Sequence, residues 1–261
     1  MSLPVYQTTC YLTPLREGGS LPGIVEASNA GTYVLKFRGA GQGVKSLIAE
    51  VIVGEMARLL DLPMPELVLL ELDPVLGRAE PDPEIQELIK ASAGLNLGMD
   101  YLPGSISFDP LATEVLAPDP LLAAKIVWLD ALTTNIDRTA RNPNLLIWHQ
   151  CLWLIDHGAS LYFQHSWQDY LTRSQQPFAP IREHVLWPCV SAADLQAVDQ
   201  AFRPQLHAEA LAAILALLPD DWLTDSRFDS PAAQRQAYGD YLLQRLHTGV
   251  FVQAMLQALD V

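Results

Sequence analysis

Apolar positions recur at two periods along this chain. In roughly the first hundred residues they form short β-like runs punctuated by turn residues. Thr32-Tyr33-Val34-Leu35-Lys36-Phe37 lies between Asn29-Ala30-Gly31 and Gly39, which predicts a strand entered through a tight turn, with Lys36 near its end. Ile48, Val51, Ile52, Met56 and Leu59 then follow helical spacing. With Ser46 as a suitable N-cap and Asp61-Leu62-Pro63-Met64-Pro65 as a stop, they predict a helix from Ser46 to about Leu60. Glu66 to Leu72 and Leu95 to Tyr101 read as two further strands, separated by a polar, acidic excursion.

From about Pro103 the helical period dominates. Leu122, Ile126, Leu129 and Leu132 predict a helix over Leu121 to Thr133 that ends just before Asn135. Two apolar runs, Leu145 to Trp148 and Leu152 to Ile155, flank His149-Gln150-Cys151 and predict a hairpin. Helices are expected over Ala192 to Phe202, Leu206 to Leu218, and Ser230 to about Leu259 with a break near Gly249. There is no internal repeat or low-complexity tract. The change of period predicts an α+β chain, with a smaller β-rich part over residues 1–103 and a mainly helical part over 104–261.

Composition narrows the function classes. Half of the residues are hydrophobic and 18% are charged, so the chain has the apolar content to build a core. A net charge of −14 disfavours nucleic acid and anionic lipid surfaces as partners. Cys10, Cys151 and Cys189 are odd in number and widely spaced, giving neither a disulfide framework nor a CxxC pair, so a cytoplasmic location is expected. No basic segment followed by an apolar stretch marks a secretory signal. The longest apolar run, Ala210 to Leu218, is about half the ~18 residues that a membrane span needs.

The chemistry concentrates in Asn135-Ile136-Asp137-Arg138-Thr139-Ala140-Arg141-Asn142, the hairpin after it, and Asp156-His157-Gly158. Phosphoryl transfer from ATP needs a carboxylate to orient the acceptor hydroxyl, an amide oxygen on magnesium, and a second carboxylate between metal and phosphates. Asp137, Asn142 and Asp156 can fill those roles. The step from Asp137 to Asn142 matches the D-x-x-x-x-N spacing of kinase catalytic loops. Read one at a time, such residues are caps and turn formers, which accounts for Asn144 and for Asp130, inside its helix and able to tie down the following loop. Lys36 on a strand and Glu50 on the next helix would add a phosphate-binding cation and its acidic partner.

These residues resemble the HipA-like kinases, a branch of the protein-kinase-like fold. The likeness covers most of the chain and is carried by Tyr33 to Phe37, Glu50, Met56 to Pro65, Asn135 to Asn142, and Asp156-His157-Gly158. A similar N-x-D-R-x-x-x-N pattern occurs in phosphatidylinositol kinases. The resemblance implies a two-lobed fold with ATP between a small nucleotide-binding lobe and a helical catalytic lobe, and transfer of the γ-phosphoryl group of Mg2+-bound ATP. By that resemblance Asp137 is the catalytic base, Asn142 and Asp156 are metal ligands, Lys36 binds phosphate and Glu50 pairs with it. Glu55 remains the alternative, because Glu50 falls off the helix face made by Ile48, Val51, Ile52 and Leu59, whereas Glu55 lies within it. Gly18 to Gly23, including Gly19 and Ser20, would cover the nucleotide, and Gly98 to Gly104, including Asp100 and Leu102, would form the adenine-binding hinge. The acceptor is an unidentified protein or small molecule. The alternative is a catalytically silent, nucleotide-binding pseudokinase or an interaction module with the same fold.

Asn135-Ile136-Asp137 stands where conventional protein kinases have H-R-D, and no A-P-E segment follows Asp156, which argues against a phosphorylatable activation loop. Gly39-Ala40-Gly41-Gln42-Gly43-Val44-Lys45-Ser46 imitates a Walker A loop. Val44, however, occupies the second glycine position, so Lys45 is read as a solvated loop residue. Trp128, Trp148, Trp153, Trp187 and Trp222 are expected as core anchors, His157 as a packing residue, and no histidine pair has zinc-ligand spacing.

Overall fold

A computed structural model of the chain describes residues 2–15, 21–41, 43–112 and 117–259. The chain divides into two compact units, Met1–Ile48 with Pro65–Pro103, and Ala49–Met64 with Gly104–Val261.

The first unit is built on a closed five-stranded barrel. Its strands β1 (Val5–Pro14), β2 (Gly23–Ala27), β3 (Thr32–Lys36), β4 (Leu67–Leu72) and β5 (Gly94–Asp100) run β1-β2-β3-β5-β4 around the sheet. Every pairing is antiparallel except β1 with β4, whose parallel register closes the barrel and removes its edges. The β2–β3 turn works as its sequence requires: Asn29 Oδ1 accepts from the Gly31 N–H at 3.1 Å while Ala30 takes a left-handed φ of 61°. Val25, Tyr33, Leu35, Phe37, Val68, Leu70 and Leu72 fill the core. Gly98 faces this interior, where a Cβ would lie 2.6 Å from Leu70 Cδ1.

Lys36 pairs with Leu97 in the β3–β5 register. Just beyond it, buried Asn96 accepts from the Arg38 N–H at 2.8 Å and donates to the Ser92 and Gly94 carbonyls, fixing the exit of β3. The polar, acidic excursion contains an unanticipated helix, α2 (Pro83–Ala91), capped by Asp82 and buried through Ile85 and Ile89. Its local signals are an Asp-Pro start, Glu84 in the first turn, Lys90 in the last, and a short apolar face of Ile85, Leu88 and Ile89.

Helix α1 (Val44–Leu59) begins two residues before Ser46. Ser46 is not its N-cap: the hydroxyl donates to the Gly43 carbonyl at 2.9 Å instead of accepting a helix N–H. Of the expected apolar stripe, Leu59 is 42% exposed, whereas residues on every other side of the helix are buried, Glu50 among them at 1% exposure. A helix buried nearly all round has no single apolar face, so the wheel could not rank Glu50 against Glu55.

The second unit is mainly helical: α3 (Pro120–Thr133), α4 (Tyr170–Ser174), α5 (Ala192–Phe202), α6 (Ala208–Leu215), α7 (Pro231–Thr248) and α8 (Val250–Leu259), with a small sheet β6 (Ile106–Ser107), β7 (Leu145–Trp148) and β8 (Cys151–Leu154) in the order β6-β7-β8. Asp119 caps α3 and Pro120 opens it. Trp128 anchors the helical core, edge-on to Phe202 and Phe251, with its indole N–H on Asp199 at 2.9 Å. Trp222 is likewise fully buried, whereas Trp148, Trp153 and Trp187 are half-buried. The hairpin turn of β7 and β8 uses His149 and Gln150, both at positive φ, as two-residue turns between twisted strands require. Gly249, at φ 62°, ends α7 and lets α8 restart at Val250. No helix among the described residues is long and apolar enough to cross a membrane.

Candidate active site

The site grows from the C-terminus of α3. Asp130 is an acid inside a helix whose neighbours Trp128, Leu129, Ala131 and Leu132 are all buried, so its carboxylate needs partners in a dry environment. Thr134 turns left-handed and ends the helix, and the chain doubles back over Asp130: the Asn135 N–H reaches the Asp130 carbonyl at 2.9 Å and Asn135 Nδ2 its carboxylate at 3.1 Å. Asp130 thus ties down the loop, as its place in the sequence suggested.

The loop then presents its chemistry. Asn135 Oδ1 accepts from the Asp137 N–H at 3.0 Å. Asn142 Nδ2 donates to Asp137 Oδ2 at 2.7 Å, and Asn144 Nδ2 donates to the same oxygen at 3.3 Å. The Asp137 to Asn142 spacing therefore brings these two side chains into direct contact, through a turn in which Thr139 and Asn142 exchange main-chain hydrogen bonds of 3.1 Å. Asp137 is half-buried and Asn142 exposed, so both remain within reach of a ligand. Ile136, between the buried Asn135 and Asp137, is exposed.

Arg138 is 1% exposed and joins this loop to the segment around Asp156. Its Nε donates to Asp130 Oδ2 at 2.6 Å, one terminal nitrogen donates to the Asn144 and Ile155 carbonyls, and the other donates to His157 Nδ1 at 3.2 Å. Ile155 in turn donates its N–H to the Asn144 carbonyl at 3.2 Å. Asp156, between Ile155 and His157, is half-buried and holds a left-handed φ of 55°. His157 is fully buried, in keeping with its expected packing role.

His184 completes the network from a distant segment. Its Nδ1 accepts the Leu186 N–H at 3.0 Å, so Nε2 carries the ring proton and donates it to Asp130 Oδ2 at 2.9 Å. The Thr139–His184 bridge and the Val185 N–H on the Arg138 carbonyl at 3.1 Å dock that segment on the loop. For Asp130, burial raises the carboxyl pKa, but the Arg138 charge and the His184 hydrogen bond outweigh it and hold the group well below the usual carboxylate range. For His184, burial dominates and lowers the imidazole pKa, opposed by Asp130.

These shifts give stability a definite pH dependence. An unfolded histidine binds its proton near pH ~6.5 while folded His184 binds it lower, so the unfolded chain holds more protons and stability falls as the pH drops below about 7. Asp130 has the depressed pKa of a paired acid, so its contribution is complete above about pH 4 and is lost only in stronger acid. Urea unfolding across this range should show the wild-type midpoint falling from about pH 7 to 5 and a flatter fall in His184→Gln. An unchanged slope in the variant would assign the titration to another group.

Sequence reasoning assigns Arg138, His184 and Asn135 no individual role and reads Asn144 only as a cap or turn former. The available signal was Asp130, an acid embedded in an apolar helix, with Arg138 as the next cation along the chain. Of the remaining expected site residues, Lys36 is half-buried at the end of β3, Glu50 is buried on α1, and Glu55 has Arg58 at 3.9 Å. Asp100 is exposed at the end of β5; partial burial first, and Glu66 second, raise its carboxyl pKa. Leu102 is buried, and its main chain makes no hydrogen bond to another described residue. Gly19 and Ser20 lie outside the described residues, as does Gln42 of the Walker-like loop.

A family model described as HipA-like kinase matches residues 11–255. No curated protein sequence matches the chain. Among solved structures, the Helicobacter pylori proinflammatory kinase CtkA is similar at 11% identity and a TM-score of 0.57, over 98% of each chain. The Golgi casein kinase is similar at 12% identity and a TM-score of 0.47, over 99% of this chain and 72% of that one. At such identity a likeness bears on fold alone, and the fold is α+β and kinase-like, with a β-rich N-terminal part and a helical C-terminal part. A family match across nearly the whole sequence carries further: the chain belongs to the HipA-like kinases.

Proposed function

We propose that the protein is an active kinase that transfers the γ-phosphoryl group of Mg2+-bound ATP to a hydroxyl on a protein serine or threonine or on a small molecule. The observation that carries this reading is the 2.7 Å hydrogen bond from Asn142 Nδ2 to Asp137 Oδ2. With its amide nitrogen committed, Asn142 keeps its oxygen for a hard cation, and Asp137 keeps Oδ1 for an acceptor hydroxyl. The hydroxyl donates to Asp137, is aimed at the γ-phosphorus, and leaves its proton on that carboxylate as the new O–P bond forms and the bond to the leaving ADP breaks.

Asp156 and Asn142 would hold magnesium, and their oxygen donors fit that ion. Among the described residues no group of three or more His, Cys, Asp or Glu side chains is suited to enclosing a metal. Magnesium is usually held by one or two carboxylates together with substrate phosphates and water. When bound, the ion would neutralise charge on the departing phosphoryl group. Lys36 takes the phosphate-binding role with Glu50 as its acidic partner. The Leu102 main chain beside Asp100 takes the adenine.

Ligand linkage tests nucleotide binding. At Mg2+-ATP about 100 times its Kd, the folded state should gain roughly 2.7 kcal/mol, read as a rise in the urea midpoint. No rise at any attainable concentration would remove the nucleotide site. A rise without phosphoryl transfer to any acceptor would make the protein a pseudokinase.

A further inference from the structure

Asp156 adopts a left-handed backbone conformation that non-glycine residues seldom hold and that persists where the surrounding structure imposes it. One side chain holds the residues on either side of Asp156. Arg138 donates to the carbonyl of the residue before Asp156 and to the ring of the residue after it. The same guanidinium holds the Asn144 carbonyl, and the Asn144 side chain reaches Asp137. Arg138 also follows Asp137 directly in the chain, and its Nε is fixed on Asp130, itself held by Asn135 and His184. One planar group, braced from behind, therefore holds the main chain before Asp156, the side chain after it, and the backing of Asp137.

We infer that Arg138 is a positioning residue: it imposes the left-handed backbone at Asp156 and so sets the spacing of the Asp156 carboxylate from the Asp137–Asn142 pair for a shared metal–nucleotide complex. The inference rests on the kinase reading above. It assigns Arg138 no contact with substrate. Lysine cannot replace it, because a single ammonium on a flexible stem cannot span Asp130, two carbonyls and an imidazole at once.

The test measures Mn2+ binding by electron paramagnetic resonance in the presence of a non-hydrolysable ATP analogue, with analogue binding in EDTA as the control. Arg138→Lys keeps a cation beside Asp130. Arg138→Met combined with Asp130→Leu removes both buried charges together, a replacement that often preserves folding. In each folded variant the Mn2+ affinity should fall by about 10–100-fold, as for supports behind metal ligands, while metal-free analogue binding is unchanged. A folded variant with wild-type Mn2+ affinity would overturn the inference and leave the kinase reading standing. Wild-type protein that binds no Mn2+ with the analogue would remove the kinase reading, and this inference with it.

Discussion

Asp137→Asn is expected to slow phosphoryl transfer by about 10²–10⁴-fold, the usual contribution of a positioned general base, while nucleotide binding stays at the wild-type level. Asparagine has the shape of aspartate, and its amide oxygen can accept from Asn142 and Asn144 as Asp137 Oδ2 does. The loop should therefore keep its form. The acceptor hydroxyl, however, would meet an NH2 group in place of a carboxylate oxygen, and its proton would have nowhere to go. Single-turnover transfer from γ-labelled ATP, paired with calorimetric titration of the nucleotide, separates the two effects. A variant that loses binding and transfer together would make Asp137 a structural residue.

Asp130→Asn should cost about 3–5 kcal/mol of stability, the usual result of removing one partner from a buried ion pair. Asp130 and Arg138 are both essentially without solvent, and their 2.6 Å contact is charge-assisted. An asparagine oxygen in the place of Oδ2 can keep the hydrogen bonds from Arg138 and His184 and loses the one from Asn135, but the guanidinium charge would remain in a dry interior. Urea unfolding at neutral pH provides the measurement. A loss below about 1 kcal/mol would mean that water or another acid reaches Arg138.

How far the sequence disclosed this arrangement depended on the distance over which each contact acts. The Lys36 strand, the hairpin from Leu145 and the break at Gly249 were legible because turn chemistry and periodicity are local. The contact between Asp137 and Asn142 was legible because five residues and a turn suffice to close it. Helix α2 was missed, since its short apolar face is diluted by acidic neighbours. The start of α1 was misread because a serine that looks like a cap can equally donate to the preceding turn, as Ser46 does. The support behind the site was hidden for a different reason. Asp130 and His184 stand 54 residues apart, and no local pattern announces that a histidine just beyond a short 3-10 segment will close on a helix acid. Burial of Asp130 demands a partner, but only the folded chain identifies it.

The central claim is that Asp137, Asn142 and Asp156 act on one phosphoryl group. Incubating purified protein with Mg2+ and γ-labelled ATP, first alone and then with lysate as a source of acceptors, tests it most directly. Label should appear on a covalent acceptor with the wild-type protein and disappear with Asp156→Ala. Label that persists in the variant, or never appears with the wild type although nucleotide binds, would contradict the claim.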